Sequence, residues 1–292
     1  FLRGPYRGRY NWPETAATDP YTNCGFRKVI CISDLENFLV QHLPNRWGNG
    51  LPVSLASLKG QIQTLMEICE GAHPATTLCD VESKLLPFNW QKAYYEKPNE
   101  ELLKTVPREA KTVLSIGCGW GATELELKQR GAVVTALPLD SVIGAVAATH
   151  GIKVIYHTLA EGLNSLKDQK FDCVLMTNLL HLQPSPNQLL EKCAKLVRGG
   201  GTLVITGPNF GRVPCLVKRL IGFGEFGMLR DYSLGGISIC GPRTLRKHLI
   251  NYGFHVTCVK WLRHTIKYAW LEGLRIPMGM FTAREWVLQA RR

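Results

Sequence analysis

Between Val113 and Gly121 the chain reads VLSIGCGWG, an aliphatic run that stops at three glycines on alternate positions and passes straight into the helix-forming stretch ATELELKQR. The run lacks polar alternation, so it predicts a strand buried on both faces, as in a parallel sheet covered by helices. Gly117, Gly119 and Gly121 let the backbone turn sharply and let a ligand come close, because no Cβ stands in the way. Strand, glycine loop and helix in that order form a cradle for a nucleotide-like cofactor. Two cofactors compete for it. Gly117, Gly119 and Ala122 match the G-x-G-x-x-G/A of a dinucleotide fold, where a pyrophosphate rests on the helix N-terminus. Gly117, Gly119 and Gly121 equally match a G-x-G-x-G loop, over which the amino-acid end of S-adenosylmethionine (SAM) lies. A glycine turn that holds no ligand is the third reading.

Downstream, apolar runs alternate with helical patterns. The expected order is helix 90–105, strand 112–117, helix 121–130, strand 132–137, helix 141–150, strand 153–156, a short helix near 159–166, strand 171–176, helix 186–197 and strand 202–207. Alternating β and α units imply a parallel sheet with helices on both faces. Pro186 after Ser185 opens one crossover helix, and the glycines 199–201 mark its end. The alternation breaks at 210–241, a glycine-rich mixture of apolar and basic residues. Upstream, residues 1–24 read as an irregular arm rich in Gly, Pro, Arg and Tyr. Residues 25–83 read as a small α/β extension: a strand at RKVICIS, an amphipathic helix from Ser54 to Gly71 and a short strand at TTLCDV.

GAVVTALPLD (131–140), GIKVIYHTLAEGL (151–163), FDCVLMTNLLHLQPSP (171–186) and LVRGGGTLVITGPN (196–209) follow the glycine loop in an order and spacing that resemble the class I SAM-dependent methyltransferases, in particular their bacterial small-molecule and sugar-type branch. AYYEKPNEELLKTVPREAKTVLSIGCGWG (93–121) looks like the helix and linker that lead into the first strand there, and the resemblance covers residues 84–292. It implies an α/β, doubly wound, mostly parallel seven-stranded sheet, with FHVTCVKWLRH and FTAREWVLQARR as the strand pair that closes it. It implies SAM as cofactor, held by Gly117, Cys118, Gly119 and Gly121. In that family the second strand ends in an acidic residue that binds the ribose, but Pro138 stands at the matching position and carries no acceptor. Asp140 is the expected substitute, with a helix N-cap as its other reading. The family resemblance also makes 210–241 a lid over the substrate.

The net charge is +12. Between Phe210 and Arg292 fourteen Lys and Arg face four Asp and Glu, which points to an anionic partner for this stretch. No RNA-binding module accompanies it, so a specific nucleic-acid partner is not expected. An anionic small molecule, a lipid-linked acceptor or peripheral contact with an anionic membrane fits instead, and solvated helix faces are the plain alternative. CLVKRLIGF is amphipathic and basic, though too short to anchor firmly. None of the ten cysteines forms a C-x-x-C pair; a reduced, cytoplasmic protein without a metal site is expected. No apolar stretch approaches the roughly 20 residues that span a bilayer.

Methyl transfer asks for alignment and, at a hydroxyl acceptor, removal of a proton. His181, in NLLHL just past the fourth strand, is the candidate base, and a packed core histidine is the alternative. Asn178 is the candidate polar contact to the cofactor. Asn209, Lys218, Arg219, Arg230 and Tyr232 are candidates for the acceptor, Asn209 alternatively capping the turn into the insertion. The expected activity is SAM-dependent transfer to a small or lipid-linked acceptor, oxygen preferred and a saccharide suggested by the resemblance. An NAD(P)-linked oxidoreductase and a catalytically silent scaffold are the rivals.

Overall fold

The computed structural model describes residues 55–78, 92, 94–221, 232–264 and 279–292. Seven strands form one sheet in the order β3-β2-β1-β4-β5-β7-β6. They are β1 (Thr112–Cys118), β2 (Val133–Pro138), β3 (Lys153–Val154), β4 (Phe171–Thr177), β5 (Val197–Pro208), β6 (His255–His264) and β7 (Ala283–Arg291). β3 to β5 in this order pair in parallel, whereas β7 runs antiparallel to both β5 and β6. The doubly wound sheet and the closing strand pair are as the sequence implied.

Both faces of the central strands are buried, which is why their sequences lack polar alternation. Leu114, Ile116, Val174, Met176, Leu203 and Ile205 enter one hydrophobic cluster. Their neighbours Val113, Cys173, Leu175 and Val204 enter a second one on the opposite face. Trp286 of β7 is buried and its Nε1 donates to Pro208 O (3.0 Å). A Cβ on Gly207 would lie 2.7 Å from the Trp286 ring, so a glycine is needed at that point of β5. Cys118, Cys173, Cys193, Cys215 and Cys240 are buried free thiols that pack as small apolar residues.

The helices in chain order are α1 (Leu55–Cys69), α2 (Glu100–Thr105), α3 (Ala122–Gln129), α4 (Ser141–Thr149), α5 (Leu159–Ser165), α6 (Pro186–Leu196), α7 (Val213–Ile221), α8 (Tyr232–Gly235), α9 (Pro242–Asn251) and α10 (Gly279–Thr282). Three boundaries differ from the expectation. Among the described residues the helix expected over 90–105 is seen as α2 alone, because Pro98 disfavours helical backbone at Lys97 and Asn99 starts the helix afresh, its Oδ1 accepting from Leu102 N (3.0 Å). β3 is two residues rather than four. Glycines 199–201 lie within β5, across an irregularity in its pairing between Phe171 and Cys173. The arm at 1–24 and the strand at RKVICIS lie outside the described residues.

The extension reaches the sheet. α1 packs against α4. Beyond it, Leu78 N donates to Leu139 O (2.9 Å), Ser141 N to Thr76 O (3.0 Å) and Leu159 N to Leu78 O (3.1 Å). Residues 76–78 therefore run along the carboxyl end of β2, joined there by the Thr76 hydroxyl and Ser141 Oγ (2.8 Å).

Candidate functional site

In an open α/β sheet, ligands bind outside the carboxyl ends of the strands where the strand order reverses. Here that point lies between β1 and β4. The glycine loop leaves β1 on one side of it and Asn178 leaves β4 on the other. Gly117 (φ +79°) and Gly121 (φ +89°) are left-handed, a conformation that side chains resist. Added Cβ atoms would also meet Leu179 at 3.1 Å and Ile152 at 2.8 Å, so the fold itself demands these two glycines. Gly119, half-buried and outside the left-handed region, is the member of the triplet whose smallness backbone conformation does not call for.

A second strand of chain crosses this loop. Trp120 N donates to Tyr94 O (2.9 Å) and its indole Nε1 to Glu96 O. Lys92, with 2% of its side chain exposed, donates to Glu96 Oε2 (2.6 Å) and to Thr177 Oγ1 (2.9 Å) at the end of β4. Of the three donors of this ammonium, Glu96 and Thr177 take two. Lys92 escaped the sequence reading because nothing in WQKAYY separates a buried lysine from a solvated one. Burial pushes the Cys118 thiol well above its ordinary value, with Glu124 adding to the rise and Lys92 opposing it. Cys118 Sγ turns to Gly119 O (3.4 Å), so this residue offers its backbone rather than a nucleophile.

Glu124 decides between the two cofactors. It stands in the first turn of α3, buried, with Oε1 accepting from Ser115 Oγ (2.6 Å). A carboxylate in the first turn is unfavourable to a pyrophosphate resting on that helix end. The strand order argues the same way, since an antiparallel β7 sits between β5 and β6 where a dinucleotide fold continues 4-5-6 in parallel.

Asp140 caps α4, its Oδ1 accepting from Ile143 N (2.8 Å). It lies just past the carboxyl end of β2, and its charge is felt at Tyr95. Burial raises the phenol of Tyr95, the hydrogen bond from Gln61 Nε2 (2.7 Å) lowers it, and Asp140 raises it again. Asn178 has φ +50°, a left-handed conformation uncommon outside glycine, and its N–H is shared by Thr206 Oγ1 (3.0 Å) and Thr206 O (3.1 Å). Held strain of this kind collects at functional positions.

His181 lies in the short 3₁₀ turn Leu180–Leu182, buried, its ring 6.1 Å from that of Phe210. The chain returning from the insertion is fastened to this turn. Tyr232 Oη donates to Leu182 O (3.0 Å), Ser238 N to His181 O (2.7 Å) and Ser238 Oγ to Gln183 O (2.6 Å). Gln183 is buried, and its Nε2 has no hydrogen-bond partner. Asn209 is engaged at the turn into the insertion, the alternative that the sequence offered beside a contact to the acceptor. Its Nδ2 donates to Met280 O (2.7 Å) and Ala283 O (3.0 Å), and its Oδ1 accepts from Gly211 N (2.9 Å). Both amide hydrogens are thereby spent on tying the end of β5 to the start of β7. Lys218 and Arg219 lie on α7, and Arg230 lies outside the described residues.

Residues 114–205 match the family model described as a methyltransferase domain. The chain is 33% identical over 104 residues to a ubiquinone biosynthesis O-methyltransferase of Pseudomonas fluorescens, covering 34% of this chain and 45% of that protein. It is 34% identical over 111 residues to the one of Xylella fastidiosa, covering 36% and 45%. The match thus spans under half the length of these relatives. A SAM-dependent methyltransferase structure from Archaeoglobus fulgidus superposes with a TM-score of 0.50 at 17% identity, over 66% of this chain and 90% of that one.

Proposed function

We propose that the chain is a class I SAM-dependent methyltransferase that moves a methyl group from SAM to a hydroxyl of a small or lipid-linked anionic acceptor. The observation that carries this reading is the donor set at the β1/β4 switch point. It holds a buried cation at Lys92, a glycine loop, and an acid at Asp140, one each for a carboxylate, a close backbone approach and a pair of hydroxyls. This set fits the two polar ends of SAM, while Glu124 disfavours a pyrophosphate.

When bound, SAM supplies a methyl group already activated on a sulfonium. The chain then has to bind, align and deprotonate. Lys92 and the backbone of Gly117–Gly121 hold the amino-acid end. Asp140 has one carboxylate oxygen engaged as the α4 cap and offers the other to the ribose, in place of the acid absent at Pro138. Asn178 fixes the floor beside the transferred group. His181 takes the acceptor proton, and the amide of Gln183 gives the acceptor a hydrogen bond that no protein group fills. Tyr232, fastened to the same turn, closes this side. An anionic acceptor is in keeping with the basic balance of residues 210–292. An oxygen acceptor also agrees with the names of the curated relatives.

Transfer of a labelled methyl group from SAM to a panel of anionic phenols, sugars and lipid-linked analogues tests the reading. His181→Ala is expected to lower kcat on the best acceptor about 100-fold, the lower end for a lost general base, with S-adenosylhomocysteine (SAH) affinity unchanged. Equal kcat in the variant would remove His181 from the chemistry.

A further inference from the structure

α7 turns an apolar stripe outward. Val213 is 49% exposed, Val217 45%, Leu220 79% and Ile221 71%, and these positions fall on one face of the helix. Cys215, on the opposite face, is 3% exposed and seats the helix on the protein, where Arg212 Nε also donates to its Sγ (3.1 Å). A soluble helix would show the reverse arrangement, with apolar residues inward. Leu234 of α8, in the same insertion, is also 55% exposed.

We propose that this face docks on an anionic lipid bilayer, with Leu220 and Ile221 entering the headgroup boundary. The proposal deepens the reading above by naming the surface from which a lipid-linked acceptor is drawn. Charge complementarity supports that occupant. Lys218 and Arg219 stand between Val217 and Leu220 in the sequence of the same helix, in a stretch where fourteen basic residues face four acidic ones. Apolar side chains flanked by cations are what an interfacial helix presents to anionic lipid. A second copy of the chain fits less well. Each copy carries a net charge of +12, and four side chains on a nine-residue helix fall well short of the ~800 Å² per partner that a stable dimer covers. Among the described residues no helix is long and apolar enough to cross a membrane, so α7 would lie on the bilayer.

Sedimentation of the full chain with vesicles of equal parts phosphatidylglycerol and phosphatidylcholine, and with phosphatidylcholine alone, tests this without cofactor or acceptor. It therefore stands or falls separately from methyl transfer. The chain is expected to pellet with the anionic vesicles, to be released by added salt, and to remain in solution with the neutral ones. Leu220→Asp combined with Ile221→Asp is expected to weaken vesicle binding at least tenfold while the melting temperature stays within error. A Leu220→Trp variant is expected to show a blue-shifted emission on adding anionic vesicles. Failure of the full chain to pellet, equal binding to neutral vesicles, undiminished binding by the double variant, or unshifted emission would each overturn the proposal. A concentration-dependent dimer that the double variant abolishes, without vesicle binding, would overturn it in favour of a second copy.

Discussion

The two ends of β1 and β4 are finished differently. At the amino ends, Asp172 Oδ2 accepts from Lys111 N (2.9 Å), Thr112 N (2.9 Å) and Thr112 Oγ1 (3.0 Å), while Oδ1 pairs with Arg198. At the carboxyl ends of the same strands, Asn178 is held at positive φ, Lys92 is buried against Thr177, and Gln183 Nε2 goes unpaired. The polar groups named at the amino end are all paired; at the carboxyl end Lys92 is paired with Glu96 and Thr177, while Gln183 Nε2 is a buried group without a partner. A cleft of about 510 Å³ opens at the amino end, lined by Arg108, Arg198 and Arg291 among others. Yet Arg198 there faces Asp172 and Arg291 Nε donates to Gly200 O (3.2 Å). Two of the three arginines named in this cleft are thus engaged by the chain itself.

If that division holds, substitutions at the two ends will separate binding from stability. The largest effect is expected from Gly119→Val, whose side chain would stand in the cofactor's approach. SAH affinity should fall at least about 100-fold, near 2.7 kcal/mol, with the melting temperature unchanged by calorimetric scan. Lys92→Met should follow, weakening SAH by about 1.5–3 kcal/mol, the range for a hydrogen bond to a charged group. Unchanged affinity there would mean that Lys92 only joins Glu96 to β4.

Asp172→Asn should do the opposite, costing about 1–3 kcal/mol of stability in urea and leaving SAH affinity alone. Burial raises the Asp172 carboxyl, but hydrogen bonds from Thr112, Arg198 and Lys111 outweigh it and hold the group below its ordinary value. Its contribution is therefore complete above the unfolded-state value near 4 and fades as pH falls through the lower folded value. The difference in stability between the natural chain and the variant should shrink below about pH 4 and persist at neutrality. Asp140→Ala should give the smallest effect on stability, about 1 kcal/mol for a lost N-cap. A further drop in SAH affinity would show that the same carboxylate also reaches the ribose.

The central strands were legible because burial on both faces writes itself into uninterrupted runs such as VLSIG and CVLM. The glycine loop was legible for the same local reason. The turn held by Asn209 Oδ1 was legible too, but the bonds of its amide hydrogens were not, because the carbonyls they reach belong to Met280 and Ala283, brought near by the antiparallel pairing of β5 with β7. Lys92 was missed because burial of a cation is a property of its surroundings, and those come from β4. Pro98 was in plain view and should have ended the long helix expected across it. Asp140 could be read either as a cap or as a ligand, and the structure shows the cap, with Oδ1 accepting from Ile143 N.

Titration calorimetry of the full chain with SAH and, separately, with NADH tests most directly whether the β1/β4 switch point is a SAM site. Saturable heat with SAH that Gly119→Val abolishes, and none with NADH, is the predicted result. Binding of NADH, or of SAH undiminished by Gly119→Val, would contradict the account.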